Sequence, residues 1–173
     1  FFRSSREGTS GFGAVVAATL VGLFGPGSSA RAELENQLEP EYALAVLDYN
    51  SKDFASALKM LDELQKKAPA ATEILELKAI TLKAMNQPRN AANVYRDLVR
   101  LKMKLKRDKK EIAPYAFELG VIRYNEKNWK QAEQYLNFSA RHGFNVEVSR
   151  FYLGLIQIQT ENWSRAETNL EAV

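Results

Sequence analysis

Apolar and polar positions alternate with the period of an α-helix over most of the chain. Tyr115, Leu119 and Ile122 fall on one helical face, and Ala132 and Leu136 fall on another face a little further on. Residues three or four apart share a face because an α-helix has about 3.6 residues per turn. A short polar segment separates the two stretches. The pattern therefore predicts a pair of amphipathic helices joined by a tight turn.

This helix pair recurs at a fixed distance along the chain. Trp129 and Trp163 stand 34 residues apart in two similar stretches, and Ala45 and Ala79 have the same separation. Between the second and third units the step is 41 residues, for example from Ala79 to Gly120, because seven residues are inserted there. A period of this length is typical of helical-repeat proteins. The sequence predicts four units.

The turn inside each unit ends in a residue suited to start the second helix. These residues are Asp53, Gln87, Asn128 and Asn162. The side-chain oxygens of Asp and Asn accept hydrogen bonds from the free N–H groups of a first helical turn. Pro88 follows Gln87, and proline is favoured at the first helical position. We therefore expect the second helices to begin at Phe54, Pro88, Trp129 and Trp163.

The repeated residues resemble the tetratricopeptide repeat family. Its Leu-Gly or Leu-Ala pair is matched by Leu44-Ala45, Leu119-Gly120 and Leu153-Gly154, and in part by Lys78-Ala79. Its small residue in the second helix is matched by Ala57, Ala91, Ala132 and Ala166, and its closing proline only by Pro69. The resemblance covers about Leu38 to Val173. It implies an all-α fold, an α-α superhelix or solenoid of about four helical hairpins, with units at about 38–71, 72–112, 113–146 and a truncated 147–173.

Small and large residues have distinct packing roles in such a repeat. Gly or Ala at a helix crossing lets two backbones approach closely. Phe54, Trp129 and Trp163 begin second helices and offer large apolar surfaces for neighbouring helices to cover. We expect this packing role for the tryptophans; the alternative is a binding platform.

The resemblance also implies a concave surface lined by the first helix of each unit. Its partner-facing positions correspond to Tyr42, Val46, Tyr49, Ile80, Lys83, Phe117, Val121, Tyr124, Phe151, Leu155 and Ile158, with Glu76 beside them. One family subtype grips a peptide carboxylate with several basic groups, and Lys83 alone does not make such a clamp. This mostly apolar set suits an amphipathic helix or a hydrophobic peptide. The alternative is that these residues face other helices.

The segment Arg100–Lys110 carries seven basic residues and one acid, and it coincides with the insertion. Helical spacing of Leu98, Leu101 and Leu105 predicts that the second helix of unit two extends by about two turns. The candidate anion-contacting residues are Lys102, Lys104, Lys106, Arg107, Lys109 and Lys110. Partners of matching charge are an anionic envelope glycan, a lipid or an acidic protein, whereas nucleic acid is not expected for an exported protein. The alternative is a solvated helix face.

The first 32 residues have the features of a secretory signal peptide. Arg3 and Arg6 precede the uncharged, apolar segment 11–24, and Ala30-Arg31-Ala32 provides a small-residue cleavage site. The segment is shorter than the roughly 20 residues of a membrane span. We expect a signal peptide at 1–32, a linker at 33–37 and export to the periplasm or cell envelope. The alternatives are an uncleaved anchor, a buried helix or an organelle lumen.

Composition is that of a folded domain, with 46% hydrophobic and 26% charged residues in 173. Removal of 1–32 lowers the formal net charge from +3 to +1, so overall charge predicts no polyanionic partner. The absence of cysteine excludes disulfides and thiol chemistry. The chain starts at Phe1 and stops inside a helical pattern, and we expect it to be a fragment of a longer protein.

No catalytic, cofactor or metal site is predicted. The single histidine, His142, precedes Gly143 at the expected end of a helix, where an imidazole interacts with the helix dipole. We therefore predict a non-catalytic scaffold or adaptor in the cell envelope that binds other proteins in its concave groove. The alternative is the periplasmic repeat part of a polysaccharide-export or cell-wall assembly machine, contacting anionic glycan or lipid through residues 100–110.

Overall fold

The computed structural model describes residues 38–173, and this part of the chain contains helices and no strand. The helices are α1 Glu39–Asn50, α2 Phe54–Lys67, α3 Thr72–Ala84, α4 Pro88–Lys104, α5 Lys109–Asn125, α6 Trp129–Arg141, α7 Val146–Gln159 and α8 Trp163–Glu171. The predicted all-α fold class is confirmed, and the four second helices begin at the predicted residues. The signal peptide predicted at 1–32 and the linker at 33–37 lie outside the described residues.

The hairpins stack in chain order into a solenoid. Each helix packs mainly on its neighbours in sequence, and the first helices α1 and α3, like α5 and α7, also contact each other directly. The buried core is a row of separate clusters rather than one centre. One contains Leu61 and Ile74, the next Tyr95 and Leu119, and the third Leu136. Each unit therefore depends on its neighbours to bury its apolar side, as expected for a helical repeat.

Small residues stand where the two helices of a hairpin cross. Ala45 and Ala79 are fully buried at this position, and Gly120 and Gly154 occupy it in the later units. A Cβ atom on Gly120 would lie 2.8 Å from Cγ of Leu136 and 3.2 Å from its backbone nitrogen. The close approach that the sequence predicts is therefore present between α5 and α6.

A residue with left-handed backbone precedes every second helix. Lys52, Asn86, Lys127 and Glu161 have φ values of 67°, 55°, 59° and 58°. In each case the next residue donates its N–H to a carbonyl five residues back, as Asp53 does to Asp48 at 2.9 Å. This bond pattern ends the first helix and reverses the chain. The turn is thus repeated as faithfully as the helices, although no glycine marks it in the sequence.

Side-chain capping occurs in two of the four units. The Asp53 carboxylate accepts a hydrogen bond from the Ser56 N–H at 3.1 Å, and the Asn128 amide oxygen accepts one from the Gln131 N–H at 3.3 Å. Asn162 makes no such bond, so its predicted capping contact is wrong. The preceding turn geometry, rather than the cap, is what all four units share.

The seven inserted residues are shared between two helices. Both α4 and α5 have 17 residues, compared with 14 in α2 and 13 in α6, and they are joined by a turn at 105–108. The predicted two-turn extension of the second helix alone is therefore wrong. The residues added to α5 lie at its start, before Ala113, which is the counterpart of the first residue of α3. Ile112 and Ala113 are fully buried and anchor this end of α5, and Pro114 follows within the helix.

The two tryptophans have different surroundings. Trp129 packs in the third cluster, with its ring 5.4 Å from Tyr124, so its predicted packing role is confirmed. Trp163 is 63% exposed, so the same prediction is wrong for this residue. Trp129 is covered because α7 brings Tyr152 into the same cluster, whereas no described helix follows α8.

Candidate functional site

The predicted partner-binding residues lie on α1, α3, α5 and α7, and we call the surface they form the first-helix face. Within one helix they are four and then three residues apart, a spacing that places them on one side. The members are Tyr42, Val46 and Tyr49 on α1, Ile80 and Lys83 on α3, Phe117, Val121 and Tyr124 on α5, and Phe151, Leu155 and Ile158 on α7. No contact of the described chain tests their binding role, which stays a prediction.

In the first two units, the first-helix face is tied to the core beneath it. Tyr42, Val46, Tyr49 and Ile80 are half-buried and pack against the first cluster. The Tyr42 hydroxyl donates a hydrogen bond to the carbonyl oxygen of Glu73 at 3.4 Å. Burial raises the pKa of the Tyr42 phenol, and so do the nearby carboxylates. These residues therefore support the fold and present only part of their surface.

In the third unit the aromatic side chains contact one another. The Tyr124 ring lies 4.9 Å from Tyr152 and meets it edge-on. The Phe117 ring lies 5.8 Å from Phe144, again edge to face. Val121 is half-buried and packs against the same cluster as Phe117 and Tyr124. Such ring pairs stabilise the surface they form, so substitution of Tyr124 or Phe117 would disturb folding as well as binding.

Phe151 differs from the other apolar members of the first-helix face. Its side chain is 45% exposed, while Leu155 and Ile158 on the same helix are half-buried. Its ring centroid lies 6.1 Å from that of Tyr152, which continues to Tyr124. Phe151 therefore ends a row of rings and offers apolar surface to a partner.

Lys83 has an acidic neighbour on the next first helix. Its Nζ atom lies 2.6 Å from Oε2 of Glu118, whose side chain is only 12% exposed. This ion pair links α3 to α5. The cation is therefore already matched within the chain, which adds to the sequence argument against a carboxylate clamp.

Glu76 and Lys102 form a buried ion pair that the sequence analysis missed. The Lys102 Nζ atom lies 2.8 Å from Glu76 Oε1, with side-chain exposures of 9% and 12%, and 5.2 Å from the ring centre of Tyr115. Burial raises the pKa of Glu76, against the lowering effect of Lys102 and of a hydrogen bond from Tyr115. The anion-binding role predicted for Lys102 is wrong, because this cation is enclosed and already paired.

A signal for this burial is present in the sequence. The residues that α4 buries are spaced three and four apart: Ala91, Ala92, Tyr95, Leu98, Val99 and Lys102. Lys102 continues the buried stripe of the helix, and its charge alone led to its assignment among exposed basic residues. Leu105 was placed on that stripe, but it is 40% exposed at the end of α4.

The other five predicted anion-contacting residues lie around the turn between α4 and α5. Lys104, Lys106, Lys109 and Lys110 are exposed, whereas Arg107 is half-buried and has an interaction of its own. The Asp108 carboxylate caps α5 by accepting a hydrogen bond from the Lys110 N–H at 2.9 Å. Four of the six predicted anion-contacting residues are therefore exposed and close together in the chain.

His142 has the structural position expected from the sequence. It is the C-cap of α6, and Gly143 follows with φ of 78°. Its ring lies 4.5 Å from that of Phe138. Within residues 38–173, no group of histidine and acidic residues could hold a metal ion, and no helix is long and apolar enough to cross a bilayer.

A depression of about 680 Å³ lies away from the first-helix face, against α2. It is open to solvent and lined largely by charged and amide side chains, including Asp62 and Lys78, which pair at 2.6 Å. Small-molecule sites are mostly apolar and enclose their ligand. This depression is open and does not enclose a ligand as such sites do.

Comparisons with known proteins support the fold. No family model matches the sequence, and no curated protein matches it significantly. Among solved structures, MamA (residues 41 to the end) from Desulfovibrio magneticus RS-1 aligns at 16% identity over 92% of this chain and 89% of that one, with a TM-score of 0.62. Another MamA crystal structure gives a TM-score of 0.66 at 17% identity, over 77% of this chain and 69% of that one.

A second kind of protein has a similar structure. SycD, the type III secretion translocator chaperone of Yersinia enterocolitica, aligns at 21% identity over 79% of this chain and 97% of that one, with a TM-score of 0.58. Sequence identities this low establish the fold and nothing about function. The described residues form a tetratricopeptide-type helical-repeat solenoid, which agrees with the resemblance of the repeated sequence.

Proposed function

We propose that this protein is a non-catalytic scaffold that binds an apolar segment of a partner protein on its first-helix face. The observation that carries the proposal is the row of rings from Tyr124 through Tyr152 to Phe151, with Phe151 45% exposed at its end. Aromatic residues held rigidly by neighbours are frequent hot spots of protein interfaces.

The partner expected from this surface is an amphipathic helix or an extended hydrophobic peptide. The predicted members of the first-helix face are apolar or aromatic except Lys83, and that cation is paired with Glu118. An apolar strip with its charges matched internally favours a partner that buries hydrophobic side chains. Specificity for a free carboxylate is not part of the proposal.

The test uses Phe151 and an exposed aromatic residue on another helix. A photo-cross-linking phenylalanine analogue at Phe151 identifies the partner in an envelope extract, and the purified partner is then titrated against variants. We expect Phe151→Ala to weaken binding by roughly 30-fold, the effect of a typical hot spot. Trp163→Ala, which removes a 63% exposed ring from a second helix, should leave the affinity unchanged. Equal binding by Phe151→Ala and the unsubstituted chain would refute the proposal.

We place this scaffold in the cell envelope, on the basis of the pattern in residues 1–32 alone. A fusion of the chain to alkaline phosphatase tests the location, because that enzyme gains its disulfides and activity only after export. We expect an active fusion whose cleaved product begins at Glu33. An inactive fusion with an uncut N-terminus would contradict export.

In a second candidate function the basic residues around the turn between α4 and α5 form the binding site. In this alternative the repeats belong to a polysaccharide-export or cell-wall assembly machine and touch an anionic glycan or lipid. The observation in its favour is the exposure of Lys104, Lys106, Lys109 and Lys110 around one turn. Binding through these charges should weaken steeply as salt is raised, whereas binding through Phe151 should not.

A further inference from the structure

We propose that the turn between α4 and α5 is a contact site for an anionic membrane surface. We call residues 103–110 the α4–α5 corner. This inference rests on the second candidate function and narrows its ligand to lipid, and it is independent of the first-helix face because it depends on the inserted residues and not on the repeated ones.

The α4–α5 corner stands out from the other turns between units. Because α4 and α5 are each longer than the neighbouring second and first helices by three or four residues, the turn that joins them lies about 5 Å further out, at about 1.5 Å per helical residue. Lys106, with φ of 52°, and the hydrogen bond from the Arg107 N–H to the Lys102 carbonyl at 3.0 Å give the turn a defined backbone. The corner is therefore an ordered projection.

Two large apolar side chains are exposed at this projection. Met103 is 41% exposed and Leu105 is 40% exposed, and the two are separated in the chain by Lys104 alone. Single exposed apolar residues are ordinary on a protein surface. Here they alternate with cations, since Lys104 and Lys106 follow them directly and are exposed as well. The combination, rather than either part, requires an explanation.

The charge of the corner matches an anionic surface. Residues 103–111 contain five basic and two acidic side chains, a net charge of +3. Lys104, Lys106, Lys109 and Lys110 make no ion pair with any described residue. The two acids here are Asp108 and Glu111, and both are exposed. The Asp108 carboxylate accepts a hydrogen bond from the Lys110 backbone N–H and so caps α5. These four lysines are therefore available to external anions.

The apolar pair favours lipid over a soluble polyanion. A glycan offers charge but no apolar phase, so it gives Met103 and Leu105 nothing to bury in. At a bilayer surface, apolar side chains can enter the acyl boundary while lysine ammonium groups remain at the head groups on extended stems. Lysines close to an anionic leaflet each add to the attraction. The expected ligand is thus a bilayer rich in anionic phospholipid.

The first experiment compares vesicle binding by charge variants of the whole chain. The probes are vesicles of phosphatidylcholine alone and of phosphatidylcholine mixed with phosphatidylglycerol, so that charge-independent binding by residues 11–24 is subtracted. Substitution of the four corner lysines by Gln should reduce binding to anionic vesicles by roughly 100-fold. The matched control replaces four exposed lysines elsewhere, Lys52, Lys59, Lys127 and Lys130, by Gln. An equal loss in the control would overturn the proposal, because net charge alone would explain the binding.

The second experiment separates lipid from glycan. The chain has no cysteine, so Leu105→Cys and, as control, Lys59→Cys each accept one environment-sensitive fluorophore. We expect a blue shift at position 105 with anionic vesicles, no shift at position 59, and none at either position with a soluble anionic polysaccharide. Met103→Gln with Leu105→Gln should weaken vesicle binding by roughly tenfold. No shift at 105, with polysaccharide bound as tightly as vesicles, would overturn the lipid assignment.

Discussion

The ammonium group of Lys102 lies 2.8 Å from the carboxylate of Glu76, with both side chains about nine-tenths removed from solvent. This pair connects the end of α4 to α3, and Tyr115 adds a residue of α5 to the same contact. It therefore holds the lengthened part of the second unit against the rest of the solenoid. Lys102, although it belongs to the most basic segment of the chain, is therefore buried and stabilises the packing of α3, α4 and α5.

Loss of the cation should be costly at neutral pH. Lys102→Met leaves the Glu76 carboxylate buried without its partner, and breaking such a pair costs about 3–5 kcal/mol. Glu76→Gln combined with Lys102→Met removes both charges and should recover most of that loss. Urea unfolding of the single and double variants measures the difference. A single variant as stable as the unsubstituted chain would contradict a stabilising role for the pair.

The cost of Lys102→Met should also depend on pH in a defined direction. Burial already raises the pKa of Glu76, and loss of the ammonium group raises it further. Between the unfolded and the raised folded pKa, the folded chain binds more protons than the unfolded one, so stability falls as pH rises. Acidification through that window should therefore restore part of the lost stability. Glu76→Gln in the same background should abolish this dependence, which a series of urea melts would show.

Glycine at the helix crossing should be harder to replace in the third unit than in the fourth. A Cβ atom on Gly120 would lie 3.2 Å from the backbone nitrogen of Leu136, which cannot move aside easily. The three nearest atoms to a Cβ on Gly154 all belong to the side chain of Leu170, at 2.6 Å and beyond, and a side chain can change its rotamer. Overpacking costs about 1–3 kcal/mol, and the gain in helix propensity offsets up to about 1 kcal/mol. We expect Gly120→Ala to destabilise the chain by about 1 kcal/mol and Gly154→Ala to be nearly neutral by thermal unfolding. The reverse order would contradict the close approach at Gly120.

Replacement by glycine should stabilise the protein at the left-handed turn position Lys52 and destabilise it at Lys59, within α2. Lys52 has φ of 67°, a conformation that costs an L-residue about 1–2 kcal/mol and glycine very little. Lys52→Gly should raise the free energy of unfolding by about 0.5–1 kcal/mol. The matched control is Lys59→Gly, at an exposed site within α2, which should lower it by about 1 kcal/mol. Chemical denaturation measures the free energy of unfolding of both variants. An equal decrease in the two would contradict the left-handed turn at Lys52.

Replacement of the leucine in the repeated Leu-Gly or Leu-Ala pair should affect stability differently in the first and third units. Leu119 is fully buried in the second cluster with α4 residues, whereas Leu44 at the equivalent position is 52% exposed because no described helix precedes α1. Leu119→Ala should cost about 2–5 kcal/mol. Leu44→Ala should change stability by no more than about 0.5 kcal/mol. A large loss on replacing Leu44 would show that this side chain is covered in solution.

Much of the architecture could be read from local pattern. The step of 34 residues, the helical spacing and Pro88 predicted the four second helices at their correct first residues. The prediction for the insertion was wrong, because its residues can extend either the helix before the turn or the helix after it. The helical spacing predicts that one helix contains the whole insertion, because periodicity does not show where a long amphipathic stretch is interrupted by a turn; the structure divides it between α4 and α5.

For this protein, the sequence by itself determined the fold class, the number of hairpins and the crossing positions that need small residues, because each depends on a pattern repeated within about 34 residues. Tertiary structure alone decided which side chains are covered. Trp129 and Trp163 share a local sequence, yet within the described residues Trp129 packs against the next hairpin and Trp163 is 63% exposed. Lys102 and Lys104 are two residues apart, and the helix turns one toward Glu76 and leaves the other in water. Burial depends on neighbours that are distant in the chain, and a local pattern indicates which side of a helix can face them but not which neighbours are there.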